Sequence, residues 1–589
     1  MDLDPDFAHL FFKMHKKVAE KTPFHKVHVL RQHMPEQEAI MFTLRNYPLH
    51  DKIDVLKEKG YRLLGNVWLC DKYGLDPISK IKCNVIAKNR AEYENDNNSV
   101  WIVKNRPGSV FDEVYDSIGA PEHTFFAIAG EEFNPYILKK TFLAFTSEER
   151  SKFEAIVNES PEGAVNRKAG YLYEKITGDS LDFSGTDILE ARRRPPQELL
   201  DPEFYYTLTE IPESRVNAKY RIADNTLGDL SVLCPIVKRT ELLDRYSLRN
   251  YGAELLNVFV KTDKRFLDTV KDIMFFKESI MSFKVEGDTK SNKRVRKYEG
   301  ILKKNGAAVR PLTKNKLIGL QNKIVDSLSV NYDYRDKQNF IGVKGRGGRA
   351  PVISYVTPSP KNVYELMDGF IDIHTTLTAD MGIDPVVAGS VSHMVFTAIH
   401  PFNDGNGRIS RLCFHDMLAS HKYVPGGAIF PISDVIGNLK NRYIQGLEDV
   451  TSGITKKCTF DADENNFITV KGNDPDLYRY LDVTPFAETM YSIMQDTMDY
   501  TVKEILKEAK IVTRVKDSIE EIAPLMNKKQ INKYCRMALE EDGYISANAK
   551  RKVFFNIDPE DISKLQAETQ KIILEIERLE DDEYSEPSL

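Results

Sequence analysis

The chain lacks any cysteine pair at metal-ligand or redox spacing. Its six cysteines, Cys70, Cys83, Cys234, Cys413, Cys458 and Cys535, are scattered through 589 residues, whereas a zinc site or dithiol motif needs partners about two to four residues apart. They read as reduced, small apolar side chains. No apolar run is long enough to cross a bilayer, and Met1-Asp2-Leu3-Asp4-Pro5 places acids where a signal peptide carries positive charge. The expectation is a cytoplasmic protein with no membrane partner, with secretion lacking a cleaved signal left open. Neither sign of charge dominates: 82 Lys and Arg stand against 88 Asp and Glu, a net charge of −6, so nucleic acid is not indicated as a partner. What is present is ordinary for a globular chain with real cores, 41% hydrophobic and 29% charged, and long enough for roughly three to five folding units.

Residues 1–122 mix short helical and strand-like runs, among them Leu63-Leu64-Gly65-Asn66-Val67-Trp68-Leu69-Cys70, and carry no nameable chemistry. Between 136 and 176, apolar residues including Ile137, Leu138, Phe142, Phe153, Tyr171, Leu172 and Ile176 recur at three- and four-residue steps and predict helix. Arg192-Arg193-Arg194-Pro195-Pro196 reads as a solvated linker ahead of a basic docking site. Residues 263–284 predict a helix with Phe266, Val270, Ile273, Met274, Ile280 and Met281 as its apolar side, stopped by Gly287. The basic run 290–304 carries Tyr298 as its lone aromatic, so it reads as a wet helix face or connector, not a base-stacking surface.

Phe340-Ile341-Gly342-Val343 and Val352-Ile353-Ser354-Tyr355-Val356 flank a Gly-rich segment and predict a β-hairpin. That segment lacks the Lys-Ser/Thr of a P-loop and reads as a turn. Residues 362–381 and 385–399 predict helices, the second with Val387, Val391, Met394, Val395, Ala398 and Ile399 on one side. Beyond 475 the pattern is helical again. Leu565, Ile572, Ile576 and Leu579 have heptad-like spacing, which fits a homodimer helix but, over barely two heptads, fits packing against its own domain better.

The chemistry concentrates in His400-Pro401-Phe402-Asn403-Asp404-Gly405-Asn406-Gly407-Arg408-Ile409-Ser410-Arg411. Pro401 ends one helix near His400, and the spacing of Ile409, Leu412, Cys413 and Met417 starts the next, so the loop sits at a helix N-terminus, an anion-binding place. Gly405, Asn406 and Gly407 can turn successive N–H groups toward one point. Arg408 and Arg411, three apart, offer two guanidinium forks for phosphate. Asp404 is a hard oxygen ligand suited to Mg²⁺ held mainly by substrate phosphates, and His400 can accept a proton near neutral pH.

This dodecapeptide resembles the Fic signature His-x-Phe-x-Asp/Glu-Gly-Asn-Gly-Arg-x-x-Arg at every defined position. The resemblance extends to the hairpin, similar to the family's flap, with Tyr355-Val356-Thr357-Pro358-Ser359-Pro360 as its exit. It also reaches Ser282-x-x-x-Glu286-Gly287, which fits the family's inhibitory pattern and places the inhibitor before the core in the same chain. Weaker likeness to bacterial Fic proteins of longer architecture lies in Gly170-Tyr171-Leu172-Tyr173-Glu174-Lys175-Ile176-Thr177-Gly178, in Tyr220-Arg221-Ile222-Ala223-Asp224-Asn225 and in Ala547-Asn548-Ala549-Lys550-Arg551.

The resemblance implies a mainly α fold: a helical Fic core with a β-hairpin flap, flanked by an N-terminal α/β or mixed region and a C-terminal helical region. It divides the chain into 1–122 of unassigned role, a mainly helical 123–262, a Fic domain at 263–460 and a helical 475–589. Within the Fic domain the inhibitory helix spans about 266–287, the flap about 339–356 and the catalytic loop 400–411. The implied activity is transfer of AMP from ATP to a Ser, Thr or Tyr hydroxyl of a target protein, self-modification included, with Mg²⁺ or Mn²⁺ as cofactor. His400 would be the base, Asp404 the metal ligand, and Gly405, Asn406, Gly407, Arg408 and Arg411 the nucleotide site. Ile341, Gly342 and Val343 would align the target by strand pairing. Ser282, Glu286 and Gly287 would inhibit, with Glu286 gripping Arg411 through two parallel hydrogen bonds. Two alternatives remain: removal of AMP by the same residues, and a nucleotide-binding regulatory or antitoxin-like protein.

Overall fold

The computed structural model describes residues 48–58, 61–79, 81, 83–86, 100–102, 118–182, 194–288, 292–304, 310–343, 351–463, 467–472, 474–540 and 544–585. Several sequence expectations fall outside them: most of the N-terminal region before 48, Arg192 and Arg193, and the Gly-rich turn at 344–350. The chain is mainly helical and divides into two compact units. One comprises the described parts of Met1–Lys238, Phe340–Ser359 and Val450–Asp482; the other comprises those of Arg239–Asn339, Pro360–Asp449 and Val483–Leu589. Among the described residues no helix is long and apolar enough to cross a membrane. All six cysteines are buried and free of disulfides.

In the first unit, the predicted helical stretch resolves into three helices, Pro135–Ala144, Ser147–Glu159 and Ala164–Thr177. Thr146 and Glu149 form a reciprocal capping box at the start of the second. Their apolar faces meet around Phe142, Phe153 and Tyr173, whose rings lie 5.2–5.5 Å apart in tilted and edge-on pairs. A separate cluster around Val67, Leu69, Cys70 and Val85 backs a three-stranded sheet of Arg62–Leu63, Cys83–Ile86 and Val100–Ile102.

The hairpin forms where the sequence predicts it. Strand β1 (Phe340–Val343) pairs antiparallel with β2 (Val352–Val356), with a bulge between Ile341 and Gly342. Gly342 is required there, because a Cβ would run into the Val352 carbonyl oxygen. The base of the hairpin is fastened by Thr455 Oγ1, which accepts from Val356 N at 3.1 Å, and by Tyr478, whose hydroxyl donates to Val356 O at 3.0 Å. Towards the tip, Val343 and Val352 are exposed.

The second unit is built on helices. Helix α1 (Lys264–Val285) starts at an Asp263 cap, whose carboxylate accepts from Arg265 N, and ends at Gly287 in a left-handed conformation, φ 73°. Asp288 N donates to Phe283 O and Gly287 N to Lys284 O, so the last turn is closed as expected. The basic run forms α2 (Asn292–Lys303), which buries Val295, Tyr298 and Leu302 and leaves its lysines outside, the wet helix face anticipated. Helix α3 (Lys314–Ile324) precedes the hairpin; α4 (Pro360–Ala379), α5 (Pro385–Ile399) and α6 (Asn406–Ser420) follow it.

Helix α5 departs from the expected one-sided pattern, since every residue from Val386 to Ile399 is buried. It is a central helix, and most of its polar side chains pair inside the unit, although His393 Nδ1 and Thr397 Oγ1 are buried without a hydrogen-bond partner. Ser390 donates to Val386 O, Ser392 Oγ meets His374 Nδ1, and His393 Nε2 meets Tyr443 Oη, each at 2.7–2.8 Å. The C-terminal helices Val502–Ile522, Lys528–Glu540 and Pro559–Ser585 pack on one another through Val515, Ile519, Tyr534, Leu565, Ile572 and Ile576. Three of the heptad-like residues of the last helix, Leu565, Ile572 and Ile576, therefore face their own unit.

Helices α5 and α6 approach closely because Gly389 has no side chain: a Cβ there would lie 2.7 Å from the Phe414 ring. Gly389→Ala is expected to cost about 1–3 kcal/mol by overpacking, read as a melting temperature lower by several degrees. An unchanged melting temperature would show that the pair is loosely packed.

Candidate active site

The loop between α5 and α6 places the sequence motif at the N-terminus of a buried helix. His400 caps α5 with its backbone in the left-handed region, φ 52°, a conformation costly for a residue with a side chain. Its carbonyl is held in place by Arg335, whose Nε donates at 2.8 Å. Arg335 N donates in addition to Pro401 O at 2.8 Å, and Asn339 Nδ2 to Phe402 O at 3.1 Å. These contacts over-determine a strained turn. His400 Nδ1 lies 3.2 Å from Thr397 O. A carbonyl can only accept, so the hydrogen is assigned to Nδ1 and Nε2 carries the lone pair.

Burial, then the neighbouring Arg335 charge, lowers the His400 pKa to about 4, against the opposing effects of Thr397 O and Glu286. The imidazole is thus neutral at physiological pH and able to accept a proton.

Asn406 shapes the loop. Its Oδ1 accepts from Phe402 N at 3.0 Å and its Nδ2 donates to Phe402 O at 2.7 Å, with the residue 2% exposed. Gly405, φ 87°, caps α6, and the first-turn N–H groups beyond it have no partner within the helix. Asp404 Oδ1 accepts from Gly405 N at 2.6 Å and from Arg408 Nη2 at 2.9 Å. Its Oδ2 has no partner among the described residues, and the side chain is 42% exposed.

The two arginines differ. Arg408 is 1% exposed, donates to Ile324 O at 3.1 Å as well as to Asp404, and stacks on the Phe283 ring at 4.7 Å. Asp288 of the α1 terminus lies 3.5 Å from its Nη1, and Tyr298 donates to its carbonyl at 3.0 Å. Both Nη atoms are turned inward and paired, while the buried Nε has no hydrogen-bond partner. Arg411 is 0% exposed, and its Nε and Nη2 donate to Ser282 Oγ at 3.0 Å and Ser282 O at 2.9 Å. Nη2 also donates to Glu286 Oε1 at 2.9 Å. The expected double hydrogen bond between this fork and the Glu286 carboxylate is therefore split: one bond goes to Glu286 and two to Ser282.

Glu286 lies over the start of α6, so close that a Cβ at Gly407 would collide with its Oε1. Burial pushes its carboxyl pKa up, but Arg411, with Arg408 and His400 behind it, outweighs this and holds it below the usual carboxylate value. About a third of the side chain remains exposed, so the carboxylate borders an accessible site.

Residues 311–418 match the family model described as Fic/DOC family, which takes in α3, the hairpin, α4, α5, the loop and nearly all of α6. The chain carries a Fic/DOC-family domain. Two solved structures are similar to parts of the chain. A Fic family protein from Desulfovibrio desulfuricans G20 is 18% identical, covering 51% of this chain and 90% of its own, at a TM-score of 0.31. A Fic domain-containing signaling protein from Bacteroides thetaiotaomicron VPI-5482 is 17% identical, covering 45% and 97%, also at 0.31. Helix α1, which delivers Glu286, lies outside the matched segment of the Fic domain.

The structure brings His400, Asp404, Gly405, Asn406, Gly407, Arg408 and Arg411 together with Ser282 and Glu286 at one place in the second unit. The flap residues Ile341, Gly342 and Val343 form their hairpin within the other unit. Sequence reasoning missed Arg335, Asn339, Gln321, Asp288 and Phe283. Each touches the loop from far along the chain, as Arg335 does across 65 residues, and no local pattern marks them.

Among the described residues no cluster of three or more His, Cys, Asp or Glu side chains could hold a metal ion. The half-exposed Asp404 with one uncommitted oxygen fits a divalent cation bound chiefly by phosphates and water.

The His400 shift is directly measurable. With its folded pKa depressed from 6.5, neutral His400 contributes stability that is complete above pH 6.5 and is lost as pH falls toward about 4. An NMR titration of the nucleotide-free protein, assigned against His400→Asn, is expected to show a midpoint near 4. A midpoint at 6.5 would contradict the burial and Arg335 contacts.

Proposed function

We propose that this Fic protein is an adenylyltransferase that moves AMP from ATP to a Ser, Thr or Tyr hydroxyl of a target protein, and that Glu286 holds it in a low-activity state. The reading is carried by one observation: the Glu286 carboxylate is bonded to Arg411 and covers Gly407, at the helix terminus best suited to phosphate.

In this mechanism the neutral Nε2 of His400 takes the proton from the target hydroxyl as its oxygen attacks the α-phosphorus. A new P–O bond forms, the bond to the β-phosphate bridge breaks, and pyrophosphate leaves. The first-turn N–H groups of α6 stabilise charge on the transferred group. Arg411 binds the terminal phosphates once Glu286 is displaced, while Arg408, committed to Asp404 and Ile324 O, keeps the loop in shape. A Mg²⁺ or Mn²⁺ ion at Asp404 would neutralise phosphate charge in flight. The open edges of the hairpin would pair with an extended target segment through Ile341, Gly342 and Val343.

Glu286 inhibits by taking the donor that the nucleotide needs. ATP then binds with its α-phosphate out of line, and a misplacement of about one ångström can cost on the order of a hundredfold in rate. The nearness of Glu286 to His400 also favours a second reading, removal of AMP, in which the carboxylate orients water and His400 protonates the leaving hydroxyl. Loss of label from a modified protein with wild type, but not with Glu286→Gly, would support it.

Three substitutions test the proposal with labelled ATP, Mg²⁺ and a cell lysate or the protein itself as acceptor. Glu286→Gly is expected to raise labelling at least tenfold, and on the order of a hundredfold if alignment is the block. Equal labelling of wild type and variant would remove Glu286 from the mechanism. His400→Ala, in the Glu286→Gly background, is expected to abolish labelling with little change in melting temperature; retained transfer would disprove its role as base. Asp404→Ala in that background is expected to remove most of the metal-dependent activity, and full activity in excess chelator would sink the metal assignment.

A further inference from the structure

The carboxamide of Gln321 lies in α3, fully buried, 83 residues before the loop it touches. Its Nε2 donates to Ser329 O at 2.8 Å, to Asn331 Oδ1 at 3.0 Å and to Asp404 O at 3.2 Å. Two hydrogens serve three acceptors, so at least one bond is shared. Its Oε1 accepts from Asn331 N at 3.1 Å. The same end of α3 makes two further contacts with the loop. Ile324 O accepts from Arg408 Nη1, and Val325 blocks the side of Gly405 where a Cβ would come within 2.9 Å of its Cγ1.

We propose that Gln321 is a positioning residue for the divalent cation: it fixes the main chain of Asp404 so that the uncommitted carboxylate oxygen faces the phosphates. The inference rests on the reading of Asp404 as the metal ligand. Three restraints converge on that aspartate. Gln321 holds its carbonyl, the α3 terminus holds the next residue, and Gly405 N with Arg408 holds its inner oxygen. With those fixed, Oδ2 has little freedom left. A buried amide satisfied from both ends is also costly to replace by an apolar side chain, which would leave carbonyls unpaired inside the unit. Partners that orient a metal ligand without touching the metal typically change metal affinity on the order of 10–100-fold when removed.

A role confined to packing would weaken the fold and nucleotide binding with or without metal. A positioning role moves the metal dependence alone. The test uses full-length Glu286→Gly protein with and without Gln321→Met, which keeps the length and removes both donors. Mn²⁺ binding is measured by electron paramagnetic resonance in the presence of a non-hydrolysable ATP analogue, and analogue binding is measured separately in EDTA. Self-labelling is measured across a Mg²⁺ titration.

The expected result is Mn²⁺ binding weakened roughly tenfold or more, with the Mg²⁺ half-saturation point raised by a similar factor. Labelling at saturating Mg²⁺ should stay within about twofold, and analogue affinity in EDTA should be unchanged. Unchanged Mn²⁺ binding would overturn the proposal, and so would an equal loss of analogue binding with and without metal. Should Gln321→Met not fold, Gln321→Glu, which keeps the acceptor for Asn331 N and opposes oxygens to the two carbonyls, carries the same expectations. Asp404→Ala in the same background separates the two claims. If it leaves Mn²⁺ binding intact, the metal assignment itself fails; if it removes binding while Gln321→Met does not, only the positioning role fails.

Discussion

The structure of this site depends on one buried guanidinium. Arg411 is fully enclosed, and a charge without water must find its hydrogen bonds in the protein. It finds three on α1, in the hydroxyl and carbonyl of Ser282 and the carboxylate of Glu286, while its buried Nη1 has no hydrogen-bond partner. That single requirement docks a helix from 125 residues earlier onto the start of α6 and sets a negative charge where an anionic substrate would sit. The split of the fork bears on the proposed inhibition. Ser282 supplies two of the three bonds, so on the proposed reading the Glu286 carboxylate would leave without the helix undocking.

The rest of the site follows a division of labour among residues that the sequence presents as equivalents. Arg408 and Arg411 both project from the first turns of α6, yet one braces the loop and the other holds the end of α1. Arg408 is committed through Asp404, Ile324 O, Asp288 and the Phe283 face, so its removal would be felt first in the fold. Arg335 and Gln321 act from behind the loop. The first holds His400 in a left-handed conformation and helps keep its imidazole neutral; the second holds the carbonyl of Asp404. On the proposed reading the reacting groups are thus few, and the groups that aim them are more numerous.

Much of this was legible in the sequence, for identifiable reasons. Pro401 and the three- and four-residue spacing after Gly407 placed the loop, β-branched runs bounded the hairpin at Phe340–Val343 and Val352–Val356, and Gly287 marked the end of α1. These are local signals, written in neighbouring residues. The directions of the side chains were not legible. Periodicity showed that Arg408 lies on the first turn of a helix but could not say that Ile324 O would be waiting for it. A one-sided apolar pattern on α5 missed that its serines and His393 are also buried, because hydroxyl and imidazole groups paired with His374 and Tyr443 carry no hydrophobic mark. Residues that touch the loop across 65 or 83 positions leave no spacing to read.

The central claim is that Glu286 and the nucleotide compete for Arg411. Crystal structures of wild type and Glu286→Gly, each with Mg²⁺ and the same non-hydrolysable ATP analogue, measure that competition directly. The account predicts that in wild type Arg411 stays on Glu286 with the α-phosphate turned away from His400. In the variant, Arg411 should bond a terminal phosphate, with the α-phosphate in line beside the imidazole. Phosphates lying in the same place in both proteins would contradict it.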